Sequence, residues 1–221
     1  MRLVHGTSLE VVDKIVKAGL TPRGKRKSLW EVPSNNQSIY LTNAYALHFA
    51  TNASKQHGAL IEIDTAELSP EYLFADEDAL EQTYRHNRAA LPEELKEMPM
   101  RQLTEWFSKQ LQQAKMLGYD HVWSLRTLGN CCYMGGIPES AVTRIVQIKD
   151  LNKAWWLGFF DPSISLANYK FVGEKYQQSQ MVLMGRTEEA IEHTHNKQDI
   201  SELLRLEELI SPYRKIIRSA D

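Results

Sequence analysis

The first third of the chain alternates between two kinds of apolar pattern. A short apolar run predicts a strand at residues 2 to 4, which ends at Gly6. Apolar residues at helical spacing then predict a helix that ends at Gly19: Leu9, Val12, Ile15 and Val16. A second strand is predicted at Ser38 to Leu41, then a helix from an Asn43 cap through Ala50, and a central strand at Ala59 to Ile63.

The middle and the end of the chain mix helical and strand patterns. Helices are predicted at residues 78 to 88 and at Met100 to Leu117, separated by an acidic linker from Pro92 to Pro99. Three further strands are predicted: His121 to Trp123, Cys131 to Met134, and Val142 to Ile148. The last part has an aromatic stretch, two helices and a basic end: Trp155 to Phe160, Thr187 to His195, Asp199 to Ile210, and Arg214 to Arg218.

This order of elements predicts an α+β fold. Its expected core is a split or two-layer antiparallel sheet flanked by helices, because the strands are many and the helices are segregated. The character of the sequence changes after Asp150. We therefore expect a main domain at residues 1 to 150 and a mixed C-terminal extension, aromatic and then helical, at 151 to 221.

Composition and charge narrow the class of protein. The chain has 221 residues, 43% of them hydrophobic, and a net charge of −2, so no overall basic field requires nucleic acid as a partner. A local basic cluster is present at Arg23, Lys25, Arg26 and Lys27. Adjacent Cys131 and Cys132 favour reduced, buried thiols, and the sequence has neither a signal-like start nor a membrane-length apolar run. A cytoplasmic protein without a membrane partner is expected.

The tripeptide His5-Gly6-Thr7 is the first candidate for chemistry. A glycine at the end of a strand allows a ligand to approach the backbone closely. The histidine offers a ring nitrogen, and the threonine a hydroxyl, to a sugar hydroxyl. Alone the motif also fits a strand end followed by a helix cap. About 35 residues later comes a second motif, Ser38-Ile39-Tyr40-Leu41-Thr42, followed by a helix of small residues around Phe49.

The order of these motifs resembles the ADP-ribosyltransferase superfamily, in its diphtheria-toxin and poly(ADP-ribose) polymerase branch. That branch uses a His-Tyr-Glu triad and NAD as substrate. The resemblance covers roughly residues 2 to 148 and implies that His5 binds the NAD ribose, Gly6 presents its backbone to the nicotinamide amide, and Tyr40 stacks on the nicotinamide ring. It further implies NAD contacts from residues near these motifs: Arg2 or Lys25 at the diphosphate, and Thr7, Thr42 and Phe49.

The third member of the triad is where this chain departs from the pattern. The positions that correspond to the family's glutamate hold Asn130 and Cys131. Asn130 can hydrogen-bond a hydroxyl but cannot neutralise a cation. Glu139 follows the dipeptide Ile137-Pro138, which resembles the turn after the family's catalytic strand, and it either reaches in as the acid or is a solvated turn residue. Asp120 is a further candidate, with a turn role as its alternative.

The remaining acidic, histidine and cysteine residues are each explained without a catalytic or metal-binding role. The run Asp76-Glu77-Asp78 predicts a solvated helix start, where carboxylates suit the helix dipole. The histidines at 86, 193 and 195 fit no standard zinc spacing, so no metal is expected. Cys131 lacks an evident base and is expected to be a structural thiol.

Three functions compete. The leading one is an NAD-dependent ADP-ribosyltransferase that acts on a macromolecule, with nucleic acid slightly favoured by the basic stretches. Compact relatives act as toxins or in phage defence, which would imply an antitoxin partner or a homo-oligomer. The second is an RNA 2′-phosphotransferase, which needs no catalytic glutamate but uses a second histidine where this chain has Tyr40. The third is a non-catalytic nucleotide- or RNA-binding module.

Overall fold

The computed structural model describes residues 1–26, 34–54, 56–80, 89, 91–154 and 162–219. Seven strands form one open sheet: β1 (Arg2–Ser8), β2 (Ser38–Thr42), β3 (Gly58–Asp64), β4 (Leu73–Ala75), β5 (Asn130–Met134), β6 (Val142–Ile148) and β7 (Arg214–Ser219). Their order across the sheet is β4-β5-β2-β1-β3-β6-β7, and every neighbouring pair is antiparallel.

Helices surround this sheet. They are α1 (Val12–Ala18), α2 (Ala46–Ala53), α3 (Glu93–Lys96), α4 (Met100–Lys109), α5 (Leu111–Met116), α6 (His121–Thr127), α7 (Leu151–Ala154), α8 (Pro162–Leu183), α9 (Thr187–Glu192) and α10 (Lys197–Ile210). Within the described ranges, no helix combines the length and the apolar character needed to cross a membrane.

The sheet separates two apolar cores because successive side chains of a strand point to opposite faces. On one face, Val4 and Leu60 pack with residues of α2, α8 and α10. On the other face, Leu3 and Ile61 pack with α1 and with the apolar residues of β2 and β5. A smaller cluster around Phe107 and Tyr119 packs beside the β4 end of the sheet.

The structure confirms the α+β class and the antiparallel sheet, and it corrects five local predictions. The strand predicted at residues 2 to 4 continues through Gly6 to Ser8. The helix that Asn43 was expected to cap begins only at Ala46. The predicted helix from Met100 to Leu117 is two helices, because the backbone of Gln110 (φ −127°, ψ 41°) leaves the helical region.

The fourth correction concerns His121 to Trp123, which was predicted as a strand. These residues begin helix α6 instead, and the Asp120 side chain caps the helix by accepting a hydrogen bond from the Trp123 amide at 2.8 Å. A cap of this kind stabilises a helix start by about 1 kcal/mol. The predicted acidic linker at Pro92 to Pro99 contains the short helix α3.

The C-terminal residues are joined to the main sheet. Strand β7, formed by the basic stretch at 214 to 218 and Ser219, pairs with β6 along five residue pairs. Val182, Leu206 and Ile210 share a core with Val4 of β1. The aromatic residues 155 to 160, and 81 to 88 of the predicted helix at 78 to 88, lie outside the described residues.

Helix α2 lies unusually close to strand β1 at Gly6. A Cβ atom placed on Gly6 would lie 2.0 Å from the Ala46 carbonyl oxygen and 2.7 Å from the Ala50 nitrogen. Both atoms belong to the backbone of α2, so neither can move aside as a flexible side chain would. Only glycine at this position permits the observed packing of α2 on the sheet.

We predict that Gly6→Ala lowers the free energy of unfolding by about 3 kcal/mol, since overpacking against backbone can be relieved only by moving the helix. Urea denaturation measures the change. The matched control is Gly136→Ala, where the nearest atom to the new Cβ is the Leu20 carbonyl oxygen at 3.4 Å. Equal loss of stability in the two variants would contradict the packing argument.

Candidate active site

The sheet opens between β1 and β2, where the predicted site residues lie. These two strands are joined by a single residue pair, Val4 with Thr42, whereas β1 pairs with β3 along seven residues. Beyond this pair, the His5 ring takes the place of a backbone partner: its Nδ1 lies 2.9 Å from the Tyr40 carbonyl oxygen. The structure thus brings together the two residues on which the sequence prediction depended.

This contact determines the protonation of His5. A carbonyl oxygen can only accept a hydrogen bond, so Nδ1 carries the proton and donates it to Tyr40. Burial lowers the pKa of His5, although the backbone hydrogen bond opposes part of that effect. The ring is therefore neutral near pH 7, and its Nε2 presents a lone pair that can accept a hydrogen bond from a ligand.

The hydroxyl group of Tyr40 makes a second contact, to an acid. It donates a hydrogen bond of 2.6 Å to Oε1 of Glu77. The backbone amide of Asn35 lies 2.8 Å from the same hydroxyl and 2.9 Å from the same carboxylate oxygen. Burial, followed by the charge of Glu77, raises the pKa of Tyr40, so the phenol stays protonated and remains a donor. Tyr40 consequently links His5 to Glu77.

Glu77 and Asp76 correct the prediction of a solvated acidic run, because each is only 4% exposed. Among the described residues, Oε2 of Glu77 has no hydrogen-bond partner, and unsatisfied buried carboxylate oxygens are rare in folded proteins. Burial, then the charges of Asp78 and Glu77, raise the pKa of Asp76. Only Asp78 of the three is exposed. Glu77 is the functional candidate that the sequence prediction missed.

The residues in place of the expected glutamate lie on β5. Asn130 pairs with Thr42 across the strands, is 3% exposed, and its Oδ1 has no partner within the described part of the chain. Cys131 and Cys132 are buried free thiols, as predicted. Burial is the main cause that raises the pKa of both thiols, so neither is a thiolate nucleophile.

Thr42 has a structural role in the turn between β2 and α2. Its hydroxyl donates to the Gly129 carbonyl at 2.7 Å and accepts from the amides of Ala44 and Tyr45 at 3.0 and 2.9 Å. This side chain is fully buried and its hydrogen bonds lie within the protein.

Phe49 lies on α2 and is partly buried against the core that α2 shares with Val4 and Leu60. Its ring is edge-on to His48.

Within the described residues, five other predicted site residues form no hydrogen bond to His5, Tyr40 or Glu77. Glu139 and Lys25 are exposed, the first in a turn after β5 and the second in the basic loop, whose Lys27 lies outside the described residues. Thr7 lies two residues beyond His5 and opposite Ala59. Arg2 forms a 3.0 Å ion pair with Glu189. Asp120, the further candidate for the acid, caps α6.

Arg2 lines a separate cleft of about 500 Å³ between the sheet and the C-terminal helices. The cleft is bordered by β1, β3, α8 and α9, and includes Glu62, Arg186 and His193. Arg186 donates two hydrogen bonds of 2.7 Å to the two carboxylate oxygens of Glu62. No group of three or more histidine, cysteine, aspartate or glutamate side chains is arranged for a metal within the described residues; His86 lies outside them.

Comparison with known proteins adds no assignment, since neither a family model nor a curated protein matches the chain.

The lowered pKa of His5 predicts a pH dependence of stability. Protonation is less favourable in the folded chain than in the unfolded one, so the His5 contribution to stability is fully present above pH 6.5. It is lost progressively as the pH falls from that value towards the lower pKa of the folded chain. Replacing His5 by glutamine should reduce the loss of unfolding free energy between pH 7.5 and pH 5.5, measured by urea denaturation. An identical loss in wild type and variant would refute a neutral, half-buried His5.

Proposed function

We propose that the chain is an NAD-dependent ADP-ribosyltransferase that transfers ADP-ribose to a macromolecular acceptor. The observation that carries this proposal is the linked set formed by His5, Tyr40 and Glu77. One residue, Tyr40, contacts the other two, through its carbonyl oxygen and through its hydroxyl group. These are the three residue types of the His-Tyr-Glu triad, with the acid supplied from a different position in the chain.

His5 and Tyr40 would hold the nicotinamide end of NAD. The neutral His5 ring has Nε2 as an acceptor for a ribose hydroxyl, because Nδ1 is committed to Tyr40. The aromatic ring of Tyr40 provides a flat surface on which nicotinamide can stack. The hydrogen bond to Glu77 limits rotation of that ring, so the surface is held in one orientation.

Glu77 would supply the negative charge for the chemical step. In that step the bond between C1′ of the ribose and the nicotinamide nitrogen breaks, and both electrons leave with nicotinamide. The ribose develops positive charge, which a buried carboxylate stabilises more strongly than an exposed one. A nucleophile of the acceptor then bonds to C1′ and transfers its proton to Glu77.

The acceptor that the charge distribution favours is nucleic acid. Lys25 and Arg26 are exposed in the loop that leads towards Asn35 and Tyr40, and guanidinium and ammonium groups bind phosphate backbones. The assay below identifies the acceptor.

Glu77→Gln should lower the rate of nicotinamide release from NAD on the order of a hundredfold or more, because the charge is lost and the shape is kept. The rate is measured with NAD labelled in the nicotinamide ring. Glu71→Gln, an exposed acid six residues earlier, is the matched control and should stay within about twofold of wild type.

The same assay distinguishes the competing assignments. A loss in Glu139→Gln instead of Glu77→Gln would identify the turn residue as the acid. NAD labelled in the adenosine half reveals the acceptor, as DNA, RNA or protein becomes labelled. Removal of a 2′-phosphate from RNA would establish the phosphotransferase, and NAD binding without nicotinamide release would establish a binding module; either result rejects the transferase.

His5→Ala and Tyr40→Ala should each reduce nicotinamide release at least about tenfold, because each removes a group that positions NAD. Tyr40→Phe separates the two roles of the tyrosine, since it keeps the ring and removes the hydrogen bond to Glu77. We expect Tyr40→Phe to retain NAD affinity better than Tyr40→Ala, measured by equilibrium dialysis. Wild-type turnover in His5→Ala or Tyr40→Ala would reject this pocket.

A further inference from the structure

The Gln180 side chain of helix α8 forms hydrogen bonds to both ends of the connection between β2 and α2. Its Oε1 accepts a hydrogen bond of 2.9 Å from the Ala46 amide, and its Nε2 donates one of 3.2 Å to the Thr42 carbonyl oxygen. Gln180 is 4% exposed. A residue 134 positions away from Ala46 in the chain therefore connects the end of one element to the start of the next.

The two backbone groups that Gln180 satisfies lie at the ends of regular structure. Thr42 is the last residue of β2, and Ala46 is the first residue of α2, whose amide has no partner within its own helix. The Thr42 hydroxyl already serves the turn residues Ala44 and Tyr45. Without Gln180, a buried carbonyl and a buried amide would each lose a hydrogen bond, which is costly away from water.

The position of Gln180 is fixed by the far side of the sheet. Arg144 of β6 donates to the carbonyl oxygens of Met184 and Gly185 at 3.4 and 3.3 Å, and Arg214 of β7 donates to that of Val182 at 2.5 Å. Guanidinium groups at a helix C-terminus satisfy its last carbonyls and suit its dipole. The C-terminal end of α8, which includes Gln180, is thereby attached to two strands.

The turn that Gln180 holds directly follows the strand that contains Tyr40 of the candidate active site. Tyr40 lies two residues before Thr42, and its carbonyl and hydroxyl contact His5 and Glu77. On the other side of the turn, α2 packs directly on Gly6, next to His5. A shift of the turn would therefore move Tyr40 relative to both of its partners.

We propose that Gln180 is a positioning residue, through which the C-terminal segment sets the geometry of the His5, Tyr40 and Glu77 site. This inference rests on the proposed transferase function where catalysis is concerned, and on the hydrogen bonds alone where the turn is concerned. Residues 173 to 219 are then part of the framework of the site and not a separable extension.

Gln180→Met tests the proposal, because methionine has similar length and keeps the apolar contacts while it removes both hydrogen bonds. Gln178→Met is the matched control: Gln178 lies on the same helix, is 8% exposed, and donates to the His193 carbonyl at 3.4 Å instead of to the site. We expect kcat for nicotinamide release to fall at least tenfold in Gln180→Met with a smaller change in KM, and to stay within twofold in Gln178→Met.

An activity-independent measurement separates this inference from the proposed function. Amide hydrogen exchange at Ala46 should accelerate at least tenfold in Gln180→Met and stay unchanged in Gln178→Met. If wild type releases no nicotinamide, the transferase proposal fails, and the exchange at Ala46 alone decides whether Gln180 holds the turn. Equal kinetics and equal exchange in the two variants would overturn the positioning role.

A second substitution covers the case in which Gln180→Met does not fold. Gln180→Glu keeps an acceptor for the Ala46 amide and removes the donor to Thr42. A fall in kcat of at least threefold relative to Gln178→Met supports the proposal, and a kcat equal to that of the control contradicts it.

Discussion

The direct contact between helix α2 and strand β1 at Gly6 is the constraint on which the site depends. With no side chain between them, the helix backbone approaches the strand so closely that even a methyl group would overlap the Ala46 carbonyl. The approach fixes where α2 begins and, through the turn at Thr42, where β2 ends. Helix packing thus requires glycine at position 6 of the His5-Gly6-Thr7 motif, independently of any ligand.

The sequence predicted those elements whose pattern is repeated over several turns or strand residues. Strands β3 and β6 are apolar and β-branched, and α1 has apolar residues at helical spacing before Gly19, so each was predicted close to its observed bounds. The strand prediction for His121 to Trp123 was wrong because three residues are too few to distinguish the periodicity of a strand from that of a helix. The decisive feature there was the Asp120 cap, a single side chain whose partner is a backbone amide.

The site was predictable where it is local and unpredictable where it depends on tertiary structure. His5 and Tyr40 belong to short motifs, and the fold brings them into contact as expected. Glu77 lies 37 residues from Tyr40, and its burial follows from the pairing of β4 with the outer edge of β5. No local sequence pattern predicted that strand pair. The run Asp76-Glu77-Asp78 has the same sequence whether water or protein surrounds it. Because acidic runs are usually solvated, a solvated helix start was predicted.

Two buried glutamates, Glu62 and Glu77, differ in how many of their carboxylate oxygens accept hydrogen bonds. Glu62 is 2% exposed, and both of its oxygens accept hydrogen bonds from Arg186, with Thr143 as a third donor. Glu77 is similarly buried, yet its partners in the described part of the chain are the Tyr40 hydroxyl and the Asn35 amide, both on one oxygen. Burial of a charge is costly unless the charge is compensated, and folds that depart from this rule do so mainly at functional sites. In the proposed reaction, the positive charge that develops on the ribose would compensate the Glu77 carboxylate, which the described residues do only in part.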